Sequence, residues 1–191
     1  MFCDVLIQHD KTFVVVDDGS QKSSIVAGGL YNPVVLKRFT PVWKSAEQLD
    51  LAMPRYKALE QQLGVQLDYK IPVYRLFASI EEQNNWFLAS DKAGLSEYIK
   101  PEIHHIENEA IKSDYGFGKV LHTGRIDTNA LIDVFKDALR NQNQLNETTF
   151  NFKSIVFNKD KVVYNNIEAK HIVFAEGFGI KQNPFFNYLP L

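Results

Sequence analysis

TFVVVDDGSQKSSIVAGGLYNP, residues 12–33, is the stretch from which the fold is read. Residues 13–16 are a continuous β-branched and aromatic run, too short for a helix and without polar alternation. Such a run predicts a strand buried on both faces, the kind from which parallel sheets are built. It ends on two acids, Asp17 and Asp18, then passes through a Gly-Ser turn to the pair Ser23-Ser24 and the triplet Ala27-Gly28-Gly29. A carboxylate at the C-terminal end of a buried parallel strand is placed to accept both hydroxyls of a ribose. Paired glycines let a backbone come close to something flat or charged. The same residues also suit an ordinary strand, turn and loop.

Upstream, Phe2, Val5, Leu6 and Ile7 read as the tail of a helix that reaches the strand through the polar residues 8–11. Downstream, Pro33 pushes Asn32 away from helical angles, so residues 30–33 are expected to be a loop or the start of a helix. Residues 45–63 carry apolar side chains at three- and four-residue steps and end at Gly64, a natural C-cap, with Pro54 predicting a kink or a break. Residues 71–77 alternate as a strand with one wet face. Ser79 and Glu82 form a capping box ahead of a helix carrying Trp86 and Phe87. Residues 91–118 read as polar and irregular, and Gly116-Phe117-Gly118 as a turn. The adjacent His104 and His105 point apart on any regular element and are read as surface residues, so no metal is expected. Asp127 is a good N-cap for an amphipathic helix bearing Leu131, Ile132, Phe135, Ala138 and Leu139. Residues 149–157 and 161–164 predict a hairpin, and residues 171–175 a second buried strand running into small residues.

Composition excludes more than it selects. A 191-residue chain with 45% hydrophobic residues, 23% charged residues and a net charge of −2 has an average globular make-up, with no basic footprint for nucleic acid or anionic membrane. No apolar run approaches the roughly 20 residues of a membrane helix. The single cysteine, Cys3, rules out an internal disulfide framework and suits a reducing compartment, so a cytoplasmic location is expected.

The order Asp17, Ser23-Ser24, Gly28-Gly29, Gly124-Arg125-Ile126-Asp127, Ala175-Glu176-Gly177 resembles the flavin-dependent amino-acid and amine oxidoreductases of the D-amino acid oxidase superfamily, especially the glycine-oxidase-like bacterial members. The resemblance implies an α/β fold: a partial Rossmann-like FAD-binding domain with an inserted α+β substrate domain built on an antiparallel sheet. The implied division is 1–68 for the first part of the FAD-binding domain, 69–122 for substrate-domain residues and 123–191 for the second FAD-binding part. The implied cofactor is FAD. Asp17, with Asp18 as understudy, would hold the adenosine ribose. Ser23 and Ser24 would lie in the loop leading to Ala27, Gly28 and Gly29 beside the flavin. Ser154 or Ile155 would meet the adenine through its backbone, and Ala175 and Gly177 would bring a strand end to the dinucleotide. Tyr31, Lys37 and Arg38 are candidates for a substrate carboxylate, although Lys37 and Arg38 also read as solvated surface charges.

The family's Gly-x-Gly-x-x-Gly phosphate loop does not occur in this sequence. The chain is therefore expected to be a fragment that starts inside a βαβ unit. The implied reaction is oxidation of the C–N bond of an amino acid or amine by hydride transfer to flavin, with a small-molecule substrate and no nucleic-acid or membrane partner. The competing expectation is a nucleotide- or flavin-binding or remnant protein without catalysis. No residue is named as an acid or base.

Overall fold

The computed structural model describes residues 1–105, 108 and 110–189 as a mixed α/β structure built on several small sheets. In chain order the elements begin with α1 (Phe2–Gln8), β1 (Val15–Val16), α2 (Ser23–Val26), β2 (Leu30–Tyr31), β3 (Val34–Val35), β4 (Thr40–Pro41) and α3 (Ser45–Leu63). They continue with β5 (Asp68–Tyr69), β6 (Val73–Leu76), α4 (Ile80–Ser90), β7 (Ile99–His104), β8 (Phe117–Val120) and β9 (Gly124–Ile126). The last are α5 (Thr128–Asn141), β10 (Leu145–Asn146), β11 (Ile155–Phe157), β12 (Val162–Tyr164) and β13 (Ile167–Ala169), with 3-10 turns over Phe152–Ser154 and Gly177–Gln182. No helix among the described residues is long and apolar enough to cross a membrane. Two units emerge, Met1–Val26 with Asp133–Leu191, and Ala27–Ile132.

The unit Ala27–Ile132 is built around Trp86. This side chain is fully buried, meets Phe39 and Phe77 edge-on with ring centroids 5.5 Å away in each case, and donates its indole N–H to the Lys100 carbonyl at 2.7 Å. Val34, Ala89, Leu95, Tyr98, Ile99 and Val120 complete the core. The antiparallel sheet β6-β8-β7 supplies its floor. Residues 99–104 and 117–120, which the sequence suggests are irregular, are two of these three strands. Gly118 is not in a turn: it sits in β8, where a Cβ would overlap the Trp86 ring and lie 2.7 Å from that of Phe77. A strand residue without a side chain is what lets the indole lie against the sheet.

A second sheet, β2-β9-β5, pairs Leu30 with Arg125 and Asp68 with Ile126. Residues 30–31 are thus a strand, although Pro33 suggests a loop or a helix start. Residues 68–69 and 122–123, where the sequence suggests domain boundaries, both lie inside this unit, because β5 pairs with β9. Buried Thr123 links the segment after β5 to the sheet. Its hydroxyl donates to the Ile71 carbonyl at 2.8 Å and accepts the Val73 N–H at 3.2 Å.

The helices follow their local signals. α3 runs without a break through Pro54 and ends at Gly64, whose φ of 67° supplies the left-handed cap. The Glu60 carboxylate near its end accepts the N–H groups of Leu67 and Asp68 at 2.7 and 2.8 Å. At α4 the Ser79 hydroxyl accepts the Glu82 N–H at 3.2 Å, and the Glu82 carboxylate turns back to the Ala78 N–H at 2.8 Å and to Arg75. Burial pushes the Glu82 carboxyl up, but the Ala78 and Arg75 hydrogen bonds outweigh it and hold the group below the usual glutamate range. A carboxyl depressed in the folded state stabilises the fold above its unfolded pKa and loses that contribution as pH falls through the folded value. The melting temperature of Glu82→Gln is therefore expected to lie below the unsubstituted chain's at neutral pH and to converge with it as pH falls through the folded-state pKa of Glu82. A gap that persists through the acid range would assign the effect to something other than the charge.

In the other unit, β1 and β10 pair in parallel, Val15 with Leu145 and Val16 with Asn146. The strand is shorter and wetter than residues 13–16 suggest: only Val15 and Val16 join the ladder, both are half-buried, and Val14 is 43% exposed. α5 starts at the expected cap, with the Asp127 carboxylate accepting the Ala130 N–H at 3.1 Å. β11, β12 and β13 form an antiparallel meander. The hairpin of residues 155–164 is present, but residues 152–154 turn as a 3-10 segment instead of extending the strand. Residues 171–175 join no ladder, contrary to the expectation of a buried strand. Phe174 instead packs among Phe150, Phe152, Phe185 and Phe186. An apolar run becomes a strand only where a neighbouring backbone is present to pair with it, and here the aromatic side chains take the segment elsewhere.

Candidate functional site

Asp17 stands just beyond the C-terminal end of β1, half-buried. Its carboxylate accepts the Gly19 N–H at 2.9 Å and pairs with Lys136 of α5. Asp18 is exposed, accepting the Ser20 N–H at 2.9 Å and the Thr149 hydroxyl at 3.1 Å. The Ser20 hydroxyl and N–H, followed by the Thr149 hydroxyl, hold the Asp18 carboxyl below its usual range. Both acids accept hydrogen bonds within short Asx-type turns. Ser23 and Ser24 open the single turn α2 and are exposed.

Within the same unit the Gly177–Gln182 turn comes back to the loop after β1. A Cβ on Gly177 would lie 3.9 Å from the Gln21 side-chain oxygen, and one on Gly179 would lie 3.4 Å from its nitrogen. Gly177 is therefore brought to the loop that follows Asp17, as the order of motifs suggests, although from a 3-10 turn and not from a strand end. Ala175 is exposed. Ile155 begins β11, an edge strand of the meander, and is half-buried.

The glycine pair behaves differently. Gly28 is exposed, and a Cβ there would meet nothing closer than Leu30 at 4.0 Å. Gly29 has φ 67°, and a Cβ there would overlap the Ile126 carbonyl oxygen. The close backbone approach that its sequence context suggests is made, but to strand β9 of its own unit. Ala27 is exposed beside them.

The most elaborated polar cluster lies in the unit Ala27–Ile132. Tyr31 donates its hydroxyl to Asp68 at 2.8 Å and accepts from the Lys70 ammonium at 2.8 Å, while Lys70 pairs with Asp68 at 2.7 Å. A Cβ on Gly124 would overlap the Tyr31 hydroxyl and stand 2.7 Å from the Tyr69 carbonyl, so this glycine is what admits the phenol onto strand β9. Burial pushes the Tyr31 phenol up, Lys70 draws it down, and Asp68 pushes it up again, leaving it raised. Burial draws the Lys70 ammonium down, and its bonds to Asp68 and Tyr31 more than restore it. At neutral pH the phenol is neutral and the amine charged.

Tyr31 and Lys70 open onto a cleft of about 300 Å³ whose apolar side is Leu49, Met53 and Pro54 and whose polar side adds Asp50 and His122. A concave apolar wall facing a few placed polar groups is the usual form of a small-molecule site. Arg38 lines a separate depression with Lys37, so of the three residues expected at a substrate carboxylate only Tyr31 lines this cleft. Asp68, Lys70 and His122 carry no local sequence signal, since only the pairing of β2 and β5 with β9 assembles them. The nearest clue is Gly124, a glycine ahead of an apolar strand residue.

No family model matches the chain, and no solved structure matches it.

Proposed function

We propose that this chain belongs to an FAD-dependent oxidoreductase that oxidises the C–N bond of an amino acid or amine, with residues 1–26 and 133–189 as part of a Rossmann-like dinucleotide-binding fold. The single observation that carries the reading is Asp17 at the C-terminal end of a strand that pairs in parallel with β10. Ligands of open α/β sheets bind beyond the carboxyl ends of parallel strands, where an acid takes the ribose hydroxyls.

The residues fit the adenosine end of the cofactor. Asp17 is oriented by Gly19 and Lys136, with carboxylate lone pairs left for hydroxyl donors. Ile155 offers the open backbone side of an edge strand. Ser23 and Ser24 hold exposed hydroxyls. At Gly29 the Cβ direction is taken by the Ile126 carbonyl. When bound, FAD supplies the hydride acceptor. The chain's own contribution to substrate is the Tyr31 cleft, where the Lys70 ammonium suits a carboxylate, the Asp50 carboxylate suits an amine, and Leu49 and Met53 exclude water from a side chain.

The test is a titration of FAD and of adenosine diphosphate followed by fluorescence and calorimetry. Both are expected to bind, and Asp17→Ala to weaken both by about ten- to a hundredfold, the worth of hydrogen bonds to a charged group. Lys136→Met, which removes the ion pair but keeps the carboxylate, separates orientation from direct contact. Failure of either ligand to bind, or indifference to Asp17→Ala, overturns the reading. Binding without reduction of the flavin by any amino acid or amine would make the chain a nucleotide-binding module.

A further inference from the structure

The second depression of the unit Ala27–Ile132 has a different character from the Tyr31 cleft. Lys37 and Arg38 sit on the loop joining β3 and β4, and Lys92 follows the end of α4. All three line one cavity of about 270 Å³, room for several non-hydrogen atoms where a single water takes about 30 Å³. None of the three has an ion-pair partner among the described residues. The one carboxylate in the lining, Glu82, is taken by Arg75 and the Ala78 N–H. Asn85 adds an amide from the same face of α4, and Leu88 an apolar edge.

The backbone that carries these cations is ordered by the core. Phe39, next to Arg38, is 7% exposed with its ring edge-on to Trp86, and it adopts a φ of 47° to get there. A left-handed aromatic residue is a strained conformation that persists only where its surroundings fix it. The Arg38 N–H is bonded to the Val35 carbonyl at 3.0 Å, and the Lys92 carbonyl receives the N–H groups of Leu95 and Ser96 at 3.0 and 3.2 Å. Three like charges gathered on fixed backbone around one hollow repel one another unless an anion joins them.

We propose that this cavity is a binding site for a phosphate dianion, either free inorganic phosphate or the phosphate group of a small monoester. A guanidinium offers two parallel N–H donors matched to phosphate oxygens, and two ammonium groups supply the charge that a dianion needs and a monocarboxylate does not. The assignment does not rest on the flavin reading, since the residues shared with it are Lys37 and Arg38 alone, and both move from a substrate carboxylate to this site.

The experiment is a calorimetric and NMR titration of the intact chain with inorganic phosphate, with glycerol phosphate as the monoester and acetate as the monoanion. Phosphate is expected to saturate, to shift the Arg38 side-chain and Lys92 resonances, and to bind more weakly as sodium chloride is added. Arg38→Gln and Lys92→Gln are each expected to weaken it about tenfold, the lower bound for a hydrogen bond to a charged group. Both residues are exposed, and an unchanged melting curve shows that the fold is intact. Tighter binding of glycerol phosphate than of the free ion identifies the ester as the ligand form; equal binding identifies the ion. Non-saturable binding, acetate binding as tightly as phosphate, or full affinity in the Arg38→Gln Lys92→Gln double variant overturns the proposal.

Discussion

Trp86→Ala is expected to destabilise the unit Ala27–Ile132 by about 3–5 kcal/mol, the range for truncating a large buried aromatic side chain. Three losses add. The indole leaves two edge-on ring contacts, to Phe39 and Phe77, and a cavity between α4 and the β6-β8-β7 sheet. The Lys100 carbonyl loses its buried donor. The strained Phe39 loop loses the surface it was turned to meet. Against a total stability of about 5–15 kcal/mol, that is a large share. Urea denaturation checks it: the midpoint is expected to fall by ~2 M for an m-value near 2 kcal/mol/M. The only other tryptophan, Trp43, is 76% exposed. The blue-shifted part of the native emission is therefore expected to vanish in the variant. A midpoint shift below about 1 kcal/mol would mean that the indole is not the centre of this core.

Gly29→Ala is expected to cost at least about 2–4 kcal/mol, from two sources that can be separated. A left-handed φ of 67° penalises any Cβ, and the new methyl would also overlap the Ile126 carbonyl oxygen. The offending atom is backbone, in the strand whose Ile126 N–H donates to the Gly29 carbonyl at 2.9 Å, so relief requires parting β2 from β9. Gly64 is the control. Its φ is also 67°, but nothing lies within 4 Å of its Cβ position, so Gly64→Ala isolates the conformational cost of about 1–2 kcal/mol. Equal destabilisation of the two variants, measured by urea denaturation, would show that the approach of Gly29 to β9 is not tight. A larger loss at Gly29 would assign the excess to its contact with β9.

The candidate sites were legible to different degrees. The order of motifs in the sequence groups Asp17, Asp18 and Gly177; the two acids lie on one loop, and Gly177 comes near Gln21 of that loop. Ala175 and Gly29 show the limit of such reasoning. Residues 171–175 have strand composition but no strand partner, and the small residue at 29 answers to a backbone that is distant in sequence. Tyr31 was visible as a candidate, while the lysine, aspartate and histidine around it were not. The Tyr31–Asp68 bond joins residues 37 apart, and no spacing rule reaches that far.

Parts of the fold whose energetics close within a few residues follow from local sequence. α3 stops at Gly64 because the next turn needs a left-handed residue. α4 starts at Ser79 because its hydroxyl and the Glu82 carboxylate satisfy orphan N–H groups at the helix start. α5 starts where the Asp127 carboxylate meets the Ala130 N–H. The 155–164 hairpin forms from two β-rich runs joined by a polar turn. Which strands meet follows from long-range packing. A strand is completed by hydrogen bonds from another backbone, and that partner is chosen by how side chains far apart in sequence pack together. That choice put Gly118 beneath Trp86, set the Tyr31 phenol over Gly124, and gathered Lys37, Arg38 and Lys92 around one hollow.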